Sequence, residues 1–237
     1  MSCEKDDNSE PKEKNLAPIK ISEYEDNVLG GETIIEYNEN NKIIKTDNGN
    51  GYYETYEYDI EGNLVKNSIY EENVLSGYNI FEYNSSNQLI KIYYYNTDDE
   101  VQTYFIQEYD NNGNVVKKTQ YGTNDAVILY FTFSYDSNGN LTNKKYYWTD
   151  YESGLISTDE YDETTYQYDD KSSIYKSVDL PFIWETHINN VLVETNTEHY
   201  GNNNSIIYNY NYLYNEDNYP KEYTTDNERY VIEYKEI

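Results

Sequence analysis

Apolar and polar residues alternate along several segments of this chain, which indicates β-strands. In the run 131–135, aromatic side chains take every second position and hydroxyl residues take the positions between them. From Ile206 to Tyr214 the even positions are apolar or aromatic, while Asn209 and Asn211 lie between them. Because successive side chains of a strand point to opposite faces, each segment predicts a strand with one aromatic face.

Short turn clusters separate these strands and recur along the chain. A Tyr followed by Asp or Asn precedes each cluster, at Tyr37, Tyr58, Tyr83, Tyr109, Tyr135, Tyr168 and Tyr214. The first five follow one another at spacings of 21 to 26 residues, and self-similarity at such a period is typical of repeat architectures. We therefore read the chain as about seven hairpin units.

The residues within each cluster fit a bulged hairpin loop. Asn111 and Asn112 suit the centre of a type I turn, and Gly113 suits the left-handed position that follows it. Asn41 and Asn87 take the place of that glycine in other units, since Asn tolerates the left-handed conformation best among the other residues.

These patterns predict an all-β fold. Repeated antiparallel β-hairpins would form a meander and one elongated, twisted or partly rolled sheet, in a single domain over residues 19–237. The repeat breaks near residues 170–190, where we expect an insertion with at most one short helix near 172–180, ended by Pro181. With 33 Tyr but only 5 Phe and 2 Trp, we expect a thin sheet whose faces are both partly exposed.

The chain is strongly acidic. Its 45 acidic and 17 basic residues give a formal net charge of −28, which disfavours nucleic acid and anionic membrane surfaces as partners. The simplest role of this charge is to keep a β-rich, monomeric protein soluble.

The residues around Cys3 resemble the start of a mature bacterial lipoprotein. Cys3 is the one cysteine, and the acidic, polar residues behind it predict a disordered tether over residues 1–18. This predicts a lipid on Cys3 and a protein anchored to the bacterial outer membrane, on the cell surface. The alternative is an incidental cysteine near the N-terminus of a cytosolic protein.

The turn motif itself resembles a known repeat. Residues 58–66 and 135–141 combine Tyr-Asp, a Gly-Asn turn and a following Leu, and they resemble the YD repeat of RHS-type proteins, which use it to build large β shells. The leader and the segments 168–171, 181–182 and 214–221 are similar to an uncharacterised surface lipoprotein family of the Bacteroidetes. The resemblance implies an architecture and no chemistry, and the chain is too short for the large shell.

Catalytic motifs are missing from the sequence. His187 and His199 are the only histidines, and no HExxH spacing, GxSxG elbow, phosphate-binding loop or dinucleotide glycine pattern occurs. The Asp-rich turns at 110–114 and 136–140 do not match an EF-hand, which needs Gly at its sixth and Glu at its twelfth position. We therefore expect no enzyme, no cofactor and no metal site.

Exposed aromatic side chains are the remaining functional signal. We predict a binding module for a glycan or another envelope component, acting through the tyrosine-rich sheet, although cross-strand tyrosine pairs also stabilise sheets on their own. The proposed ligand-binding residues lie mainly in the insertion, where loops that interrupt repeats commonly carry specificity: Tyr175, Phe182, Trp184, His187 and, outside it, Trp148. The alternative is an acidic protein that binds another protein, like an immunity protein, or a structural protein of the envelope.

Overall fold

Sixteen antiparallel strands form a closed β-barrel in the computed structural model, which describes residues 14–150, 154–178, 187–201, 203–226 and 228–237. Each strand pairs with its neighbours in the sequence, and β1 pairs with β16. The strands are β1 Leu16–Glu25, β2 Val28–Tyr37, β3 Ile43–Asp47, β4 Tyr53–Tyr58, β5 Leu64–Glu71, β6 Val74–Tyr83, β7 Leu89–Tyr95, β8 Val101–Tyr109, β9 Val115–Gly122, β10 Val127–Tyr135, β11 Leu141–Trp148, β12 Asp162–Ser172, β13 Asn189–Glu198, β14 Ser205–Tyr214, β15 Pro220–Thr225 and β16 Glu228–Glu236.

The prediction of one elongated, open or partly rolled sheet is therefore wrong. The first and last strands pair along their whole length, from Leu16 opposite Glu236 to Glu25 opposite Glu228. This seam satisfies the backbone groups that two edge strands would leave unpaired. The sixteen strands of the described chain make eight hairpins, close to the about seven units that the repeat indicated.

The prediction of a short helix near 172–180 is also wrong for the described residues of that range. Ser172 ends β12, and the next residues form isolated turns, in which Lys176 N–H donates to Ser173 O and Val178 N–H donates to Tyr175 O. The Ser173 N–H donates a hydrogen bond to Ile188 O, 3.1 Å away, and does not start a helix. Residues 179–186 lie outside the described residues. Nothing in the described chain is a helix able to span a membrane.

The face that points into the barrel supplies the apolar core. A cluster on β2 to β7 buries Ile35, Ile43, Tyr56, Leu64, Phe81, Leu89 and Ile92. A second cluster on β10 to β12 buries Phe133, Leu141 and Tyr166. The thin sheet with two partly exposed faces that the tyrosine content suggested is replaced by a barrel with one apolar, inward face.

The outer face is charged. Four successive hairpins each pair an exposed Glu with a Lys across the strands: Glu36 with Lys45, Glu57 with Lys66, Glu82 with Lys91 and Glu108 with Lys117. Cross-strand tyrosine pairs stack beside them, such as Tyr53 on Tyr70 with ring centroids 4.4 Å apart. Lys45 lies over the Tyr53 ring at 4.6 Å. The ring faces of these outer tyrosines therefore already contact neighbouring rings or lysines.

Tyrosine hydroxyls join each hairpin to the preceding strand at one end of the barrel. We call this the YD-turn end, because the turns at 38–42, 59–63, 84–88, 110–114, 136–140 and 215–219 lie there. Each hydroxyl donates to the carbonyl of a residue at or near the start of a preceding strand. The donor and acceptor pairs are Tyr37 to Pro18, Tyr58 to Ile43, Tyr83 to Leu64, Tyr109 to Leu89, Tyr135 to Val115, Tyr168 to Leu141, Tyr212 to Val191 and Tyr234 to Pro220.

The turn chemistry predicted from the sequence is confirmed. Gly62, Gly113 and Gly139 have φ of 86°, 88° and 89°, and Asn41 and Asn87 take 57° and 61° at the equivalent position. The Asp before each glycine turn accepts backbone hydrogen bonds from inside the turn, as Asp110 does from the Asn112 and Asn114 N–H groups at 2.8 and 2.9 Å. The Asn114 N–H bond lowers the pKa of Asp110 below its usual range.

Removing one of the tyrosine hydroxyls should cost measurable stability. Tyr109→Phe leaves the Leu89 carbonyl without its 2.7 Å donor, so we expect a loss of about 1 kcal/mol in the free energy of unfolding. Tyr95→Phe, on the outer face in a stack with Tyr78, is the matched control and should change stability far less. Urea unfolding of both variants measures this.

Burial raises the pKa of Tyr109, which sets the pH range of that test. In the unfolded chain this tyrosine ionises near pH 10, roughly as free tyrosine does. The contribution of its hydroxyl to the free energy of unfolding is therefore complete below that pH and is lost as the pH rises further. Equal losses for both variants at neutral pH would contradict the role of the hydroxyl.

Candidate functional site

The insertion interrupts a turn motif without destroying it. In the ordinary unit, Asp136 accepts the Asn140 backbone N–H at 2.9 Å and its side-chain amide at 3.2 Å. Asp169 makes the same two bonds with Asn190, at 3.0 and 3.1 Å. The insertion, which we define as residues 170–189, thus replaces the middle of a YD turn and starts and ends on the YD-turn end.

The two ends of the insertion are tied together and to the neighbouring turn. Ser173 Oγ donates to His187 O at 2.5 Å. Asn189 exchanges hydrogen bonds with Asn140, each 2.9 Å long. These contacts fix where the insertion leaves the wall of the barrel.

From there the described residues of the insertion up to Val178 pack into the barrel. Val178 contacts the larger core cluster, and Ser177 Oγ lies 3.0 Å from the Tyr219 hydroxyl. A sixteen-stranded barrel is wide enough to keep an open lumen, so the insertion fills part of a space that side chains of the wall would leave empty.

A cavity of about 1020 Å³ remains between the insertion and the wall. Its walls are mostly the rings and aliphatic side chains of the inward face, and it reaches the turn glycines Gly62 and Gly113 at the YD-turn end. Tyrosines 58, 83, 109 and 135 line it, but their hydroxyls are directed to wall carbonyls. They therefore present mainly apolar ring surface. The volume lies at the upper end of the range for small-molecule sites.

Two of the predicted site residues lie in the wall of this cavity. Tyr175 lines it and keeps 39% of its surface exposed. Burial raises the pKa of its hydroxyl. His187 also lines it, and its Nδ1 lies 2.6 Å from the Tyr168 hydroxyl.

Trp148 lies elsewhere, at the end of β11 that is remote from the YD turns. It contacts the rings of Tyr146 and Tyr200, at 5.4 and 5.3 Å between centroids, and does not line the cavity. Phe182 and Trp184 lie outside the described residues, as does Cys3. The structure thus brings Tyr175 and His187 together but places Trp148 apart from them.

Sequence reasoning missed Lys118 and Gln107. They lie opposite each other on β9 and β8, face the lumen and line the cavity. Lys118 is 3% exposed, with its amino group 4.9 Å from the centre of the Phe105 ring. The pair Lys117 and Lys118 gives no pattern that separates an outer from an inner lysine, and only the strand register does so.

Burial lowers the pKa of Lys118 to about 7. The cost of holding a charge away from water is the cause. The amino group is therefore near its midpoint at neutral pH, and an anion beside it would favour the charged form.

His199 and the turn carboxylates make contacts within the protein. No group of His, Cys, Asp or Glu there has the arrangement of a metal site. His199 sits on the outer face, where its Nε2 is 2.8 Å from Glu163 and its ring stacks on Tyr161. The turn carboxylates bind their own backbone, as described for Asp110.

Comparison with known proteins supports the fold. No protein-family model matches the chain, and no curated protein sequence matches it. A porin-like protein from Bacteroides vulgatus has a similar structure, with a TM-score of 0.53 and 10% identity, over 93% of this chain and 99% of that one. At this identity the likeness is one of architecture alone.

Two further solved structures are similar only weakly, and we draw no conclusion from them. A porin-like protein from Bacteroides uniformis has a TM-score of 0.39 and 9% identity, over 92% of this chain and 98% of that one. The Photorhabdus luminescens Tc holotoxin pore has a TM-score of 0.35 and 13% identity, over 84% of this chain and 12% of that chain. Membership in the YD-repeat family stays a resemblance.

The lowered pKa of Lys118 predicts how stability changes with pH. Its folded pKa of about 7 lies below the value of about 10.4 in an unfolded chain, so between these values the unfolded state binds more protons. The free energy of unfolding should therefore rise with pH in this window, by up to about 1.4 kcal/mol per unit from this group.

The test compares Lys118→Met with wild type by urea unfolding at several pH values between about 7.5 and 9.5, a window inside the two pKa values above. The variant should lose this part of the slope. Lys117→Met is the control, because that neighbour lies on the outer face near Glu108, at 3.7 Å, and should keep the slope. Identical slopes in all three proteins would contradict a buried, uncharged Lys118.

Proposed function

We propose that this protein is a non-enzymatic binding barrel, held at the bacterial outer membrane by a lipid on Cys3, that takes a small, largely apolar ligand into its lumen. The cavity of about 1020 Å³ under the insertion carries the proposal. Largely apolar, concave sites with a few polar groups are the usual form of small-molecule binding sites. Tyr175 and His187 provide polar atoms on the insertion side of this one.

The lumen is a better candidate for binding than the outer tyrosines. Sugar rings bind to free aromatic faces, but on the outside the tyrosines stack on each other, as Tyr104 and Tyr121 do at 5.0 Å. Lysines cover further faces, as Lys91 does over Tyr93 at 4.4 Å. Such pairs stabilise the sheet, so the glycan platform predicted from the sequence has less support than the cavity.

An anchored barrel fits the outer face better than a spanning one. A barrel that crosses a membrane presents an outward apolar band about 25 Å tall, and a Lys near the middle costs about 2–4 kcal/mol. Here the four Glu–Lys pairs and the salt bridge of Arg229 with Glu222, at 3.1 Å, lie on outward positions. We therefore propose attachment through the N-terminal tether.

The absence of an enzymatic role remains part of the proposal. His187, a polar group in the cavity wall, is held by a hydrogen bond with the Tyr168 hydroxyl. We also propose that the chain is a YD-repeat protein. The tyrosine contacts give a physical reason for the dipeptide to recur, because each one links neighbouring strands.

Ligand uptake can be tested with a neutral fluorescent probe, N-phenyl-1-naphthylamine, whose emission rises in apolar surroundings. Wild type should bind it saturably. Val115→Trp, which places an indole in the cavity wall, should weaken binding at least about tenfold by steric exclusion. Val231→Trp is the matched control, since Val231 lies outward between Ser22 and Glu222, and it should bind as wild type does.

Equal binding by both variants would place the probe outside the lumen and contradict the proposal. Thermal unfolding of each variant shows that the barrel is intact. A loss of binding in Val231→Trp alone would contradict it as well.

The anchor is tested by expressing the full native gene with Cys3→Ser. A lipidated cysteine holds a protein stably on a membrane only when it carries more than one acyl chain, so the wild type should sediment with membranes and the variant should be soluble. Ser2→Ala is the control and should stay in the membrane fraction if residue 2 precedes the mature chain. Soluble wild-type protein without lipid would remove the anchor and the surface location.

A further inference from the structure

The cavity lining has no acidic residue among the described part of the chain, although 45 of the 237 residues are Asp or Glu. The side chains that line it and can carry positive charge are Lys42, Lys118, Lys176 and His187. In a protein with a net charge of −28, the charged side chains among the described residues of this lining are therefore basic.

The lysines among these basic groups lie at different depths in the cavity. Lys42 lies beside Gly62 in the turns, with Cε 3.8 Å from the place of a glycine Cβ, and Lys176 is exposed on the insertion and donates to Ser172 Oγ at 3.1 Å. Both are near the YD-turn end. Lys118 is deeper, on β9 beside the apolar cluster that contains Phe133.

The surroundings of Lys118 suit an anionic group. Gln107 lies directly opposite it across the β8–β9 ladder and offers an amide. The buried position strengthens attraction to a negative charge, because water screens it little there. The same position disfavours a cation. Burial lowers the pKa of this amino group to about 7, and a bound anion would raise it again.

The rest of the lining suits a hydrocarbon chain. Leu64, Leu89 and Val115 alternate with the tyrosine rings around the cavity, and the hydroxyls of those tyrosines are bonded to backbone carbonyls. The walls thus offer apolar contacts on several sides of a slender ligand.

We infer that the cavity takes an amphiphilic anion, with its apolar chain against the tyrosine and leucine wall and its carboxylate or similar head group beside Lys118 and Gln107. This inference rests on the proposed lumenal binding function. It specifies the ligand class, which that proposal leaves open.

The test uses three molecules with the same chain and different head groups: decanoate, decanol and decyltrimethylammonium. Each is titrated against N-phenyl-1-naphthylamine bound to the full wild-type protein, at neutral pH and below the concentration at which it forms micelles. We expect decanoate to displace the probe about tenfold more tightly than decanol does, and the cation to be the weakest of the three.

Lys118→Met should remove that advantage, so that decanoate and decanol displace the probe about equally. Lys117→Met, one residue away on the outer face, should keep the wild-type order. Thermal unfolding of each variant shows that its barrel is folded. If Lys118→Met does not fold, the order of the three probes in wild type still decides the ligand class.

Other outcomes overturn the inference in distinguishable ways. Equal displacement by decanoate and decanol in wild type, or preference for the cation, removes the anionic ligand but leaves a lumenal site. An advantage for decanoate that disappears only in a Lys42→Met, Lys176→Met double variant removes the head group from Lys118. Failure of the neutral probe to bind wild type at all removes the proposed function itself.

Discussion

The hydrogen bond from a tyrosine hydroxyl to a carbonyl at the start of a preceding strand is the contact on which this barrel depends. An isolated hairpin is marginally stable in water, and here each is tied to its predecessor, as Tyr58 is to Ile43 and Tyr83 to Leu64. The same motif forms the turn, through Asp59 and Gly62. One short sequence therefore specifies the turn, the core position and the link between hairpins.

This contact also determines the chemistry of the lumen. A tyrosine whose hydroxyl is bonded to the wall contributes its ring as apolar surface and leaves no unsatisfied polar atom. The cross-strand Glu–Lys pairs of the YD hairpins point outward, as Glu57 and Lys66 do. Within this largely apolar lining Lys118, 3% exposed, is a buried basic group. The outer face, in contrast, disperses both signs of charge over many pairs.

Local features of this fold were predictable and long-range ones were not. Turn residues such as Gly113 and Asn87 have one conformation whether the sheet is open or closed, so the sequence reveals them. Closure depends on pairing Leu16 with Glu236, which no local pattern records. Nor does any local pattern show that Trp148 lies apart from Tyr175 and His187. The hydrogen bonds between Asp169 and Asn190 did have a signal in the sequence, because Tyr-Asp is followed, after an interval, by Asn-Val. A search for a turn among adjacent residues does not find this signal.

The seam between β1 and β16 also determines where the chain ends leave the barrel. The Ile237 N–H donates to Asn15 O at 3.0 Å, so both ends of the barrel chain meet at the YD-turn end, where the cavity also reaches Gly62. A dozen residues between Cys3 and the first strand span at most about 40 Å when extended. With a lipid on Cys3, the YD-turn end, which the cavity reaches, would therefore stay within a few nanometres of the bilayer surface, and an amphiphile would cross only that distance between the two.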